Sequence, residues 1–119
     1  MSSTALRGVF VPLIPPFAAD GSVALDALER LAHEYLDAGA AGLVPLGTTG
    51  EAPLLDAAEK RAVVELCARV GSERGAAVIV GSGSNDTAAT VRATVDYGQI
   101  PGVTHAMVVV PYYVRNGML

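Results

Sequence analysis

The sequence predicts an α/β fold on a parallel sheet: a TIM (β/α)8 barrel of which this chain covers about the first four strands and three helices. Four β-branched runs are apolar on both faces rather than alternating, the pattern of parallel strands covered on either side. Segments of helical period lie between them, giving the order β-α-β-α-β-α-β, which right-handed crossovers join into one sheet. Comparable positions in the runs, Val9, Leu43, Ala77 and Met107, lie 34, 34 and 30 residues apart. A barrel of about 250 residues has a repeat of about 31.

The first run is Gly8-Val9-Phe10-Val11-Pro12-Leu13-Ile14. A helix follows, with Leu25, Leu28, Leu31, Ala32, Tyr35 and Leu36 on one face and Gly39 as its C′ residue. After the second run, Gly42–Leu46, Asp56 and Glu59 have the spacing of a capping box. Val63, Val64, Cys67 and Val70 then form a stripe, and Gly71 is expected to end that helix. Ala76–Val80 is the third run. The third helix, from about Thr87 to Tyr97, has Asn85 or Asp86 as cap and a narrow stripe of Ala88, Val91 and Val95. Ala106–Val110 is the fourth run.

The 119 residues hold only about four of the eight units. Residues 1–119 therefore read as the N-terminal half of a (β/α)8 barrel domain, truncated near where a fourth helix would begin, at Gly117-Met118-Leu119. A lone half would leave two parallel edges unpaired. The competing architecture is a small open α/β sheet complete in itself.

Eight Lys and Arg against twelve Asp and Glu give a net charge of −4, so no basic footprint for nucleic acid or anionic lipid is expected. The single cysteine, Cys67, excludes an internal disulfide framework and fits a reducing compartment. Met1 to Arg7 carries no apolar leader, and no run reaches the ~18 residues of a membrane span. A cytoplasmic location is expected.

In parallel α/β folds, chemistry gathers at the C-terminal ends of the strands. The segments there are Pro15-Pro16-Phe17, Gly47-Thr48-Thr49-Gly50-Glu51, Gly81-Ser82-Gly83-Ser84-Asn85 and Pro111-Tyr112-Tyr113. In Gly47–Glu51, glycines free the backbone to take unusual dihedrals and approach a ligand. Consecutive N–H groups and two hydroxyls would suit a carboxylate or small phosphate. A plain βα turn, with its threonines satisfying loop backbone, is the alternative.

Other signals point away from chemistry. Gly81-Ser82-Gly83 begins like a dinucleotide fingerprint, but Asp86 stands where the third glycine belongs. No Gly-Lys-Ser/Thr follows a glycine loop. Asn85-Asp86-Thr87 matches a glycosylation sequon that is expected to stay unmodified without a leader. His33, on the first helix, and His105, placed before the fourth strand, have no His or Cys neighbour at ligand spacing, so no metal site is expected. Cys67 fits core packing. Lys60, the only lysine, flanks the stripe of the second helix, where a long stem snorkels to solvent.

Three of these motifs, Gly47–Glu51, Gly81-Ser82-Gly83-Ser84-Asn85-Asp86-Thr87 and Val110-Pro111-Tyr112-Tyr113, occur in that order at successive strand ends. In this the chain resembles the dihydrodipicolinate synthase/N-acetylneuraminate lyase family of class I aldolases, over Arg7 to Tyr113. The resemblance implies a (β/α)8 barrel in which pyruvate forms a Schiff base with a lysine and the enamine attacks an aldehyde, with no further cofactor. It implies that Thr49 and the neighbouring N–H groups of Gly47, Thr48 and Gly50 hold the pyruvate carboxylate. Thr48 would join a proton relay with tyrosines, Tyr113 being the one that reaches into a partner subunit's site. The doubled threonine is similar to the synthase branch, implying aspartate semialdehyde as acceptor, 4-hydroxy-tetrahydrodipicolinate as product, and lysine biosynthesis. Family members are commonly tetramers built as dimers of dimers, so a homo-oligomer is implied.

The chain departs from the pattern at Leu13-Ile14-Pro15-Pro16-Phe17, where many members have a threonine before Pro-Phe. The turn Gly98–His105 is longer than usual, and Val114-Arg115-Asn116-Gly117 lacks the proline that often follows the tyrosines. The family's Schiff-base lysine and second relay tyrosine lie on later strands, beyond Leu119, so this chain alone is expected to be inactive. A sugar-acid aldolase of the same family, a catalytically inert half barrel that binds a partner chain, and a phosphate-binding α/β protein are the alternatives.

Overall fold

Parallel pairing sets the frame of the molecule. In the computed structural model, which describes residues 5–113, four short strands stand side by side in chain order: β1 (Phe10–Pro12), β2 (Gly42–Val44), β3 (Ala77–Gly81) and β4 (His105–Met107). All three pairings are parallel, with Val11 opposite Leu43, Leu43 opposite Val78, and Val80 opposite Ala106. The crossovers are α1 (Leu25–Asp37), α2 (Ala57–Arg74) and α3 (Thr87–Gly98). The expectations for Met1–Thr4, for Val114–Gly117 and for the end at Leu119 lie outside the described residues.

The core fills the space between the sheet and the first two helices. Leu28 and Ala32 of α1 join Val63, Val64, Cys67 and Val70 of α2 over Leu43, Val78 and Val80, all with 2% exposure or less. Burying each of the larger side chains is worth about 1.5–3 kcal/mol. The expected capping box of α2 is complete: the Asp56 side chain accepts from Glu59 N–H at 2.8 Å, and Glu59 accepts from Asp56 N–H at 3.0 Å.

The sequence reading is corrected at four places. Helix α2 passes through Gly71 and ends at Arg74, with Gly75 as its left-handed cap at φ 64°. Gly71 is glycine because a Cβ there would meet the Val78 side chain, so it marks close helix–strand packing and not a stop. The outer strands are not covered on both sides, since Pro12 and Met107 are exposed and their neighbours half-buried. Strand β4 starts and stops early, with His105 as its first residue and Val108, Val109 and Val110 beyond it, all exposed. Hydropathy marks that run as a strand, but β3 ends at Gly81 and offers no further edge. Finally, the α3 stripe is exposed at Ala88, Val91 and Val95; Ala89, Thr90, Ala93, Thr94 and Tyr97 are more protected.

Candidate active site

The loops that leave β2, β3 and β4 at the C-terminal end of the sheet meet around one cavity. On leaving β2 the chain turns at Leu46, which is buried and left-handed at φ 61°. Two successive turns follow, with Gly50 N–H donating to Gly47 C=O and Glu51 N–H to Thr48 C=O, both at 3.0 Å. Glu51 is also left-handed, at φ 53°, and a short 3-10 turn, Ala52–Leu54, leads on toward α2. Among the described residues, the N–H groups of Thr48 and Thr49 have no protein acceptor.

The glycines of this loop act through contact, not through dihedral freedom. Gly47 and Gly50 do not have positive φ; the left-handed residues are Leu46 and Glu51, just outside them. A Cβ on Gly50 would come within 2.8 Å of Leu13 C=O, so the end of β1 presses against the loop at that point. Gly81 likewise admits the Leu46 carbonyl.

The loop after β3 is fixed by hydroxyls. Ser82, buried, pairs its Oγ with Thr94 Oγ1 at 2.7 Å and sends its N–H to Met107 C=O at 3.2 Å. Ser84 N–H donates to Thr90 Oγ1 at 3.0 Å, and the Asp86 side chain caps α3 by accepting from Ala89 N–H at 3.0 Å. Tyr112 and Tyr113 stack edge to face with ring centroids 5.9 Å apart, and Tyr113 is left-handed at φ 60°. Among the described residues, the non-glycine residues with positive φ are Leu46, Glu51 and Tyr113, all at this rim. Each costs about 1–2 kcal/mol in a conformation L-residues avoid; such strain gathers at functional sites.

The cavity between these loops measures about 610 Å³ and is lined by Gly47, Thr48, Ser84, Tyr112 and Tyr113 over an apolar base that includes Leu46 and Met107. Three of the four strand-end segments singled out from sequence therefore meet, and of the expected site residues Gly47, Thr48 and Tyr113 line the cavity, while Thr49, which is exposed, and Gly50, which is buried, are not among the lining residues. Lys60 also lines the cavity, near the first turn of α2. Hydropathy hid it by placing Lys60 beside the apolar stripe; its nearness in sequence to the Gly47–Glu51 loop was the available signal. A second concavity of about 490 Å³ lies between α2 and α3, lined by Arg61, Glu65, Arg69 and Asp96, and holds none of the motif residues.

The histidines lie elsewhere. His33 Nδ1 is 3.1 Å from an Arg74 guanidinium nitrogen, and His105 Nδ1 is 2.9 Å from Thr104 Oγ1. Among the described residues, no group of three or more His, Cys, Asp or Glu side chains could hold a metal ion, and no helix is long and apolar enough to cross a membrane. Burial pushes the Cys67 thiol up to about 12.

Residues 5–118 match the Dihydrodipicolinate synthetase family. The chain belongs to that family. Among its relatives is the 4-hydroxy-tetrahydrodipicolinate synthase of Ehrlichia canis, 44% identical over 115 residues, which are 97% of this chain and 38% of the relative. The synthase structure from Methylacidiphilum fumariolicum SolV superposes with a TM-score of 0.87 at 35% identity, covering 95% of this chain and 37% of that one. A prophage protein of the family from E. coli K12, solved in complex with pyruvate, superposes with a TM-score of 0.86 at 26% identity over 96% of this chain and 38% of that one. The chain thus spans a little over a third of the length of its family members, and its sheet is the first four strands of their (β/α)8 barrel.

Proposed function

We propose that this chain is the N-terminal half of a Schiff-base lyase domain of the synthase type, carrying the keto-acid cradle and part of a proton relay. In this reading the complete barrel condenses pyruvate with an aldehyde, aspartate semialdehyde by preference, to give 4-hydroxy-tetrahydrodipicolinate. Thr49 and the N–H groups around it hold the pyruvate carboxylate. Thr48 and Tyr113 pass protons, with Tyr113 serving the site of a partner subunit in a cytoplasmic homo-oligomer. The lysine that forms the Schiff base comes from the part of the barrel that this chain does not include.

The observation that carries the proposal is the meeting of Thr48, Tyr112 and Tyr113 at one cavity on the C-terminal end of a parallel sheet. The free N–H groups of Thr48 and Thr49 support the carboxylate role, because two adjacent donors beside a hydroxyl form a concavity for an anion. Proton transfer by positioned hydroxyls contributes about 10²–10⁴-fold in rate.

The test joins this chain to the remaining part of the Ehrlichia canis synthase, restoring a full-length barrel. Turnover of pyruvate with aspartate semialdehyde is expected. Thr49→Val should raise the KM for pyruvate, and Tyr113→Phe should lower kcat. A folded chimera that turns over only sugar-derived aldehydes would reassign the acceptor, and a folded chimera with no turnover would overturn the proposal.

Lys60 at the cavity gives a second reading, in which this chain forms its own imine. Pyruvate and borohydride added to the chain, followed by intact mass, decide it. Imine formation releases water and hydride then fixes the pyruvyl group on Nζ, so a stable adduct on Lys60 would move the nucleophile into this chain; an unchanged mass is expected.

A further inference from the structure

We infer that Asn85 is a positioning residue that fixes the Tyr112–Tyr113 segment over the cavity. Its Oδ1 accepts from Tyr112 N–H at 2.7 Å, across 27 residues of sequence. Both neighbours of Asn85 are anchored. Ser84 is held by Thr90 through its N–H at 3.0 Å and its Oγ at 3.1 Å. Asp86 N–H donates to Ser84 Oγ at 3.2 Å while its carboxylate caps α3. The Asn85 amide therefore extends from a point rooted in α3.

The tyrosines lack such a root of their own. Strand β4 ends at Met107, and Val108, Val109 and Val110 are exposed. Tyr113 is fully exposed and left-handed, so its own packing does not hold it in a conformation that costs about 1–2 kcal/mol. The bond to Tyr112 N–H fixes the peptide just before Tyr113 and thereby the direction in which that ring leaves the body. Misplacing a reacting group by 1 Å costs up to about 10²-fold in rate, so the clamp bears on chemistry if Tyr113 is the relay group; this consequence rests on the function proposed above.

Two measurements test it. The chain has four tyrosines, so ¹⁵N-tyrosine labelling gives four backbone amides to follow by hydrogen exchange. Asn85→Ala should speed exchange at Tyr112 by roughly 5- to 10-fold, the worth of one hydrogen bond, and leave Tyr35 and Tyr97 in their helices unchanged. Asn85→Asp, which keeps the acceptor oxygen, should preserve Tyr112 protection. Unchanged Tyr112 exchange in a folded Asn85→Ala chain would overturn the inference. Should that variant unfold, losing protection at Tyr35 and Tyr97 as well, loss of Tyr112 protection in folded Asn85→Asp would do the same.

In the full-length chimera, Asn85→Ala should lower kcat by about 10-fold or more with the KM for pyruvate within about twofold. Asn85→Asp should recover kcat, and adding Asn85→Ala to Tyr113→Phe should cost little more. If Tyr113→Phe alone leaves kcat intact, the relay role of Tyr113 fails while the exchange result still decides the clamp. If Tyr113→Phe lowers kcat and Asn85→Ala does not, the positioning role is overturned.

Discussion

Thr104 closes the start of the β3–β4 join with its side chain: its hydroxyl accepts from Val78 N–H at 2.9 Å and donates to Val78 C=O at 3.1 Å. Its own N–H reaches the same carbonyl at 3.0 Å. Val78 has no exposed surface, so its N–H has no water to turn to. Thr104→Val keeps the shape and removes the acceptor, and should cost about 1–3 kcal/mol, the penalty for a buried donor left unpaired. Thr104→Ser should retain most of the stability. Urea midpoints of the two variants check this, and equal midpoints would show that the hydroxyl contributes nothing.

The motif glycines should separate under substitution. A Cβ at Gly81 meets the backbone carbonyl of Leu46, a buried main-chain atom that cannot swing away as the end of a side chain can. At Gly47 it would meet Met107 Cε at 3.6 Å, an ordinary contact with the end of a flexible side chain. Gly81→Ala should lower stability by about 1–3 kcal/mol through overpacking, and Gly47→Ala by less than about 0.5 kcal/mol. Thermal melts that rank the two in the opposite order would contradict this account of the loop.

Helix α3 offers a contrast between adjacent residues. Thr94 joins its Oγ1 to buried Ser82 at 2.7 Å and to Thr90 C=O at 2.8 Å, whereas Val95 is 53% exposed. Thr94→Val should cost about 1–3 kcal/mol by stranding the Ser82 hydroxyl. Val95→Thr should stay within about 0.5 kcal/mol, as surface changes do. Denaturant titration of both variants tests which face of the helix carries the load.

That contrast also marks what the sequence reveals. Where burial alone decides an element, as with Val63, Val64, Cys67 and Val70 on α2, periodicity finds the inner face, and the Asp56–Glu59 box finds the helix start. On α3 the inner face is a ladder of threonines bonded to serines, so the apolar stripe points the wrong way. The polar rim was legible because loops at parallel strand ends gather on one side. The strained dihedrals at Leu46, Glu51 and Tyr113 were not, since nothing local favours them and tertiary contacts must impose them. Sequence marks Asn85 as part of the loop after β3, as a cap and as a sequon, but not as the partner of Tyr112, which lies 27 residues away.

Cys67 should make stability fall in alkali. Burial raises its thiol from an ordinary 9.0 to about 12, so below pH 9 the thiol is protonated in both states and contributes no pH dependence. Between about pH 9 and 12 the unfolded chain releases a proton that the folded chain keeps, and stability declines by about 1.4 kcal/mol per pH unit from this group. Tyr97 is also raised, mainly by burial, and adds to the loss in the same direction. Cys67→Ala should remove the cysteine share, leaving a shallower decline in urea-derived stability across that range. The same burial denies the thiolate to reagents, so at pH 8 a disulfide reagent should modify the folded chain at least about 10²-fold more slowly than the urea-unfolded chain. Equal rates would mean that the seam between α1, α2 and the sheet opens freely, and the core described above would not be the element that holds the rim in place.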